Sequence, residues 1–364
     1  MVLSNNLGWI GVDLGTHTVK LAQAVRSPAG VRLRHAVVIQ RSSPWSELDD
    51  LAFGEPDPSW SEIWAALECG DFRGRNATCL LPMNVCELRG LKIPQGDDHE
   101  RRAMIASELA DDENDRAANT EFDYWELGGD KGLETADGFN VNVISVSRPW
   151  IDQVASDCQR ARLDCWAVDG TPLAMARAVG LTTGQRSSER VLAVDWGFSN
   201  TTLCVVGKGR PLYARRLHNC YFRKCLVAIQ ESLGVTLDHA QHLVDAHGVV
   251  APTTNGAVTA TEHEIQAAVT EAVAETADSL VEQIERTLRF VESQRRHHHP
   301  TLLWLMGGGA SVRNIGPYLS AKLEMPVSIW SVPTDGEPDG TNLGRETALF
   351  ASAFALSALA WRDA

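Results

Sequence analysis

Apolar and polar positions along the chain sort into short strand-like runs separated by turn residues, with a few longer helical stripes between them. Near the start, the run Trp9-Ile10-Gly11-Val12 passes through Asp13-Leu14-Gly15 into a second apolar run at 21–25. The turn signal Ser27-Pro28-Ala29-Gly30 then sends the chain back over 31–39, which predicts a three-stranded meander. The same order returns far downstream. Val191-Leu192-Ala193-Val194 leads through Asp195-Trp196-Gly197 into 203–206, and Gly207-Lys208-Gly209-Arg210 precedes a return over 212–217. Two copies of one supersecondary unit, each with an Asp-x-Gly turn and hydroxyl residues after its first strand, predict a duplicated domain with a ligand held between the copies.

Between the copies the pattern changes. Strands are expected at 78–82 and 86–93, an amphipathic helix over 98–109, and two more strands at 122–127 and 140–146. This reads as a small α/β insert of strand-strand-helix-strand-strand form. Helices follow at 150–162 and after Asp169-Gly170-Thr171-Pro172, whereas 42–60, rich in Pro, Ser and Asp, reads as a surface loop. The second half carries helices at 220–234 and 237–247 and a polar linker at Pro252-Thr253-Thr254-Asn255-Gly256. A long helix over 262–294 has Ile265, Val269, Val273, Leu280, Ile284, Leu288 and Val291 as its apolar stripe. A buried strand at 302–306 ends in Gly307-Gly308-Gly309-Ala310, and an alanine-rich helix over 347–361, expected in the core, closes the chain. The expected division is a first domain at 1–75 and 149–186, an insert at 76–148, a second domain at 187–340 and a closing helix at 341–364.

Without Cβ atoms, the triple glycine lets backbone lie flat against a bulky group such as the ribose and α-phosphate side of a nucleotide. Taken alone, a strand-to-helix turn that needs glycine for its dihedral angles is the simpler account.

Composition narrows the function classes. A formal charge of −14 over 364 residues opposes nucleic acid and anionic membrane surfaces, both of which call for Lys and Arg. The eight cysteines include no Cys-x-x-Cys pair and read as small buried hydrophobes in a reducing compartment. No signal peptide and no apolar run near the roughly 20 residues of a membrane span is present, so a cytoplasmic protein is expected. His297-His298-His299 reads as a solvated helix cap. His239 and His242 share a helical face near His247, more readily a polar surface than a metal site. No His-Glu-x-x-His, Gly-x-Ser-x-Gly or Walker A loop occurs, which removes metalloprotease, serine hydrolase and P-loop chemistry.

Together these pieces resemble the actin, Hsp70 and sugar kinase superfamily, and within it the PilM family of type IV pilus assembly, itself similar to FtsA. The resemblance rests on Ile10-Gly11-Val12-Asp13-Leu14-Gly15 with Val19-Lys20-Leu21, on the insert with Leu91-Lys92-Ile93-Pro94, and on Ala167-Val168-Asp169-Gly170-Thr171-Pro172-Leu173-Ala174. It rests also on Ile284-Glu285-Arg286-Thr287-Leu288-Arg289-Phe290 with Glu292-Ser293-Gln294, followed by Leu305-Met306-Gly307-Gly308-Gly309-Ala310. It implies an α/β fold of duplicated actin/Hsp70-like, ribonuclease H-like domains that bind ATP and Mg2+.

The nucleotide-binding residues so implied are Asp13, Gly15, Thr16, His17 and Thr18 from the first turn, and Asp195, Gly197, Ser199, Asn200 and Thr201 from the second. Gly307, Gly308, Gly309 and Ala310 complete the set. Asp13 and Asp195 would hold Mg2+ through water, and Lys20 is expected on the solvent side of its strand. His17 and the bulky Trp196 depart from the family pattern. So does Ala240-Gln241-His242-Leu243-Val244, which lacks the Glu and Lys that usually approach the nucleoside, and Leu217-His218-Asn219-Cys220-Tyr221, which lacks a usual glycine. These departures weaken the expected nucleotide affinity: binding is expected ahead of efficient hydrolysis, and a degenerate, nucleotide-free scaffold is the alternative.

The implied function is a cytoplasmic assembly platform of a type IV pilus or related secretion machine. Its partner would be the short tail of a PilN-like inner-membrane protein, which recruits it to the inner face of that membrane; other pilus assembly proteins and self-association are further options. The alternatives are a small-molecule kinase, for which no acceptor-side base is evident, and an FtsA-like filament protein, which would usually end in a basic amphipathic helix. A GspL-type secretion protein would carry a transmembrane segment.

Overall fold

Alternating apolar residues make Leu7–Leu14 a strand (β1), which reverses at Gly15 into Thr18–Ser27 (β2) and again into Gly30–Gln40 (β3), both pairings antiparallel. The computed structural model describes residues 6–28, 30–42, 59–110, 119–126, 141–183, 190–250, 260–294, 299–332 and 344–361. The linker at 252–256, His297 and His298, most of the loop at 42–60 and the domain junctions near 186 and 340 lie outside them. Ser59 and Trp60, placed in that loop by sequence, instead open a helix, Ser59–Cys69 (α1), because Trp60 and Ile63 one turn apart pack into the core.

Asn76–Leu81 (β4) lies parallel to β1, and after its first residue every position is buried, the mark of a central parallel strand covered on both faces. Its other neighbour is Asp164–Gly170 (β8). The strand expected at 78–82 therefore belongs to the first sheet, of order β3-β2-β1-β4-β8, and not to the insert. The insert sheet has three strands, Cys86–Leu91 (β5), Thr120–Glu126 (β6) and Val141–Ser147 (β7), in the order β5-β7-β6 beside the helix Asp98–Ala110 (α2). From β7 the chain passes straight into Arg148–Arg160 (α3), then β8 and Thr171–Thr183 (α4).

The second half repeats the first sheet strand for strand. Arg190–Trp196 (β9), Thr201–Gly207 (β10) and Arg210–Leu217 (β11) form the meander, and after Arg223–Leu233 (α5), Leu237–His247 (α6) and Ala260–Gln294 (α7) come the parallel strands Leu303–Met306 (β12) and Val327–Ile329 (β13). The order β11-β10-β9-β12-β13 is that of the first sheet. Ile315–Leu323 (α8) joins the last two strands. The chain ends in Gly344–Ala348 (α9), Ala351–Ser357 (α10) and a tight 3-10 turn. The single helix expected over 347–361 is thus broken after Ala348, whose carbonyl accepts the Gly307 N–H at 3.0 Å instead of continuing a helical ladder.

The two sheets sandwich α4 and α10, which share one core with Ala22 and Ala24 of the first sheet and Ala193 and Cys204 of the second. Small residues make this approach close. A Cβ on Gly11 of β1 would lie 1.9 Å from the Ala353 carbonyl oxygen of α10. The outer face of the first sheet is covered by α1 and α3, and the second half's outer core is built from α5, α6, α7 and α8. No helix among the described residues is long and apolar enough to cross a membrane.

Candidate functional site

The two Asp-x-Gly turns meet at one cavity of about 910 Å³, within the range of small-molecule sites. Each turn is tight for the same reason: a Cβ on Gly15 would lie 2.7 Å from the Thr18 carbonyl oxygen, and one on Gly197 would lie 2.5 Å from that of Asn200. Each is also tied from behind. Arg41, buried after β3, donates through Nε to the Gly15 carbonyl at 2.7 Å and through its backbone N–H to that of His17 at 3.0 Å. In the second copy the backbone N–H groups of Phe222 and Arg223, leading into α5, donate to the carbonyls of Gly197 and Phe198 at 3.0 and 2.9 Å.

The copies differ in charge. Strand register pairs Asp13 with Lys20 and Asp195 with Thr202. Cross-strand partners share a face, so the Lys20 Nζ reaches Asp13 Oδ2 at 3.1 Å and lines the cavity rather than the solvent side. Asp195 has only Thr202 opposite it. Its pKa is pushed up to about 6, first by burial and then by the carboxylate of Asp13, with Lys20 opposing. A like-charged pair with one resident cation is a site that a further cation relieves.

His17 and Phe198 touch across the mouth, ring centroids 4.6 Å apart. Burial, then Arg223 and Arg41, lowers the His17 pKa, so at neutral pH the imidazole is uncharged and offers a single N–H.

Of the residues expected at the site, Asp13, Gly15, Thr16, His17, Thr18, Asp195, Gly197, Ser199, Asn200, Gly307 and Gly308 line the cavity, and Thr201, Gly309 and Ala310 do not. Thr201 is fully buried, and its hydroxyl donates to the Cys220 carbonyl at 3.1 Å. The same carbonyl takes the Trp196 indole N–H at 2.7 Å, because Trp196 points into the second core and leaves the cleft clear.

The triple glycine separates into three requirements. Gly307, at φ +83°, would bring a Cβ 2.1 Å from Asp195 Oδ1, and a Cβ on Gly309 would enter the Trp196 ring at 2.3 Å. At Gly308 the nearest atom would be the Phe222 ring edge at 3.5 Å, an ordinary contact, so only this glycine leaves room that nothing in the chain demands. Ala310 is core.

Several lining residues carried no sequence signal of their own: Arg223, Asp238, Asp245, Glu346 and Phe350. Gln241 also lines the cavity and donates to Asp245 at 3.0 Å, while Val244 is sealed in the core. Where the resemblance calls for a glycine near 217–221, Asn219 holds φ +63°, a left-handed conformation that Asn adopts more readily than other side chains. Among the described residues His239, His242 and His247 form no ligand cluster, and His299 pairs with Glu292 at 2.6 Å.

No protein-family model matches the chain, and no curated protein sequence does. Solved structures do. A chain from a PilM-PilN type IV pilus biogenesis complex superposes with a TM-score of 0.75 at 19% identity, covering 98% of this chain and 99% of that one. The ethanolamine utilization protein EutJ from Carboxydothermus hydrogenoformans aligns with a TM-score of 0.47 at 12% identity, covering 96% and 89%. MreB 5 of Spiroplasma citri bound to AMPPNP aligns with a TM-score of 0.46 at 13% identity, covering 94% and 92%. The end-to-end match shows that this protein, with its duplicated five-stranded sheets and insert, shares the fold of that pilus-biogenesis chain.

Proposed function

We propose that the protein is a cytoplasmic, nucleotide-binding assembly platform of a type IV pilus or related secretion machine. In this reading it captures the short cytoplasmic tail of an inner-membrane partner of the PilN kind and is held at the membrane by that partner. The observation that carries the reading is the pairing of two phosphate-type turns across one cleft, on a fold that matches a pilus-biogenesis chain along its whole length.

The residues present fit a nucleotide. Gly15 and Gly197 offer turn amides, and Thr16, Thr18, Ser199 and Asn200 offer hydroxyl and amide donors to phosphate oxygens from opposite walls. Lys20 adds a cation beside Asp13. Gly308 leaves backbone open to the nucleoside side. Mg2+, when bound with the nucleotide, would screen phosphate charge, and Asp13 and Asp195 would hold it through its waters. The turns belong to different halves, so a ligand touching both favours a closed arrangement, and closure is the lever by which nucleotide would tune partner affinity. The Gln241 amide and neutral His17 supply no charge to drive hydrolysis, in keeping with a regulatory nucleotide rather than rapid turnover.

Isothermal calorimetry with a synthetic peptide of a pilus inner-membrane protein's cytoplasmic tail tests the partner half of the proposal. Saturable binding whose affinity changes with Mg-ATP is expected. Absence of binding both with and without nucleotide would refute the platform reading while leaving the nucleotide site untouched.

A further inference from the structure

Three of the cysteines, which by sequence look like separate buried hydrophobes, converge in the first half. Cys79 comes from β4, Cys158 from α3 and Cys165 from β8, and their sulfur atoms all lie within 4.8 Å of one another, those of Cys79 and Cys158 3.4 Å apart. Cys79 and Cys158 are fully buried and Cys165 is half-buried. Among the described residues no other three His, Cys, Asp or Glu side chains gather this tightly. Metal–thiolate bonds of about 2.3 Å set three sulfurs roughly 4 Å apart around one ion in a trigonal plane. The Cys79–Cys158 pair lies inside that value, and no sulfur is more than 4.8 Å from another.

We propose that Cys79, Cys158 and Cys165 form a three-thiolate site for a thiophilic d10 cation, Zn2+ or Cu+. Sulfur-only ligation selects soft ions over Mg2+ or Ca2+, which take oxygen ligands. Each S–H gives its proton to solvent as its S–metal bond forms, and no electron changes hands. Half-exposed Cys165 gives the ion a path from the surface. The ion would staple α3 to two neighbouring strands that run into the cavity, β4 ending beside Pro82 and β8 beside Thr171, and so brace the first wall of the cleft.

The test uses the full chain, reduced, treated with chelator and kept anaerobic. Titration with Co2+ as a spectroscopic probe should give a thiolate-to-metal charge-transfer band that saturates at one ion per chain. Zn2+ and Cu+, added in separate arms against a coloured competing chelator, should displace it, and the arm with the tighter displacement identifies the ion. Either ion should raise the Tm. Cys165→Ser should abolish the band and the Tm rise, whereas Cys69→Ser, at an exposed cysteine, should keep both; circular dichroism of Cys165→Ser confirms that the fold survives. The proposal is overturned by absence of saturable binding, by a band that persists in Cys165→Ser, or by a Cys79–Cys158 disulfide whose reduction restores no metal binding.

Discussion

Asp195 and Gly307 show how closely single atoms determine the cleft. The Asp195 carboxyl, half-buried in the cavity wall, is partly stripped of water, feels the charge of Asp13 and lacks the lysine that its counterpart owns, so its neutral form is favoured relative to a free carboxyl. A raised acid pKa means that the folded chain binds more protons than the unfolded one between 3.8 and about 6. Stability from this group therefore rises as pH falls through that window and is lost above it. In metal-free buffer, Asp195→Asn should raise the Tm at pH 8 and lose that advantage as pH drops below 6; a difference that does not change with pH would contradict the assignment. Gly307→Ala would force a Cβ onto Asp195 Oδ1 from a left-handed backbone and should destabilise the chain by about 1–3 kcal/mol, measured by urea denaturation. Sequence made Asp13 and Asp195 legible because the Asp-x-Gly pattern is local. The packing duties of Gly307 and Gly309 were hidden because Asp195 and Trp196 reach them from a different strand. Thr201 was misplaced for a related reason, since the carbonyl that takes its hydroxyl lies 19 positions downstream.

At the scale of elements, periodicity located most strands and helices, because meanders and amphipathic helices announce themselves within a few residues, but it placed no strand at β8 or β13. It misassigned β4, whose unbroken apolar run fits an insert strand as well as a central one until its neighbours are known. It missed α1 and split off no break before α10, since both outcomes depend on distant contacts. The insert is also tied to the far half in a way that local pattern cannot reveal. The Trp125 indole N–H at the end of β6 donates to the Pro211 carbonyl of β11 at 2.6 Å, and the Asn142 amide of β7 donates to the Leu212 carbonyl at 3.4 Å. Trp125→Phe leaves a buried carbonyl short of a donor, a loss of about 1–3 kcal/mol. Amide exchange should then quicken in β6 and β7 while β1 and β9 keep their protection; unchanged exchange in the insert would show that this bond does not hold the insert against the second half.

The whole molecule is two copies of one sheet with a pair of small-residue helices pressed between them and a cleft where the copies' turns meet. Duplication explains why the cleft has matched walls, and the inequality of the copies, Lys20 against Thr202, explains why its charge is lopsided. A nucleotide bridging both walls binds the folded state alone and must stabilise it in proportion to the logarithm of its concentration over Kd. Gly308 is the place to challenge this, because it lines the cavity and a Cβ there meets only the Phe222 ring, at ordinary contact distance. The decisive measurement is a thermal-shift titration with Mg-ATP on the wild type and on Gly308→Val. The account predicts a concentration-dependent rise in Tm for the wild type and none for the variant, with the two ligand-free proteins melting alike; a wild type unmoved by millimolar Mg-ATP would contradict it.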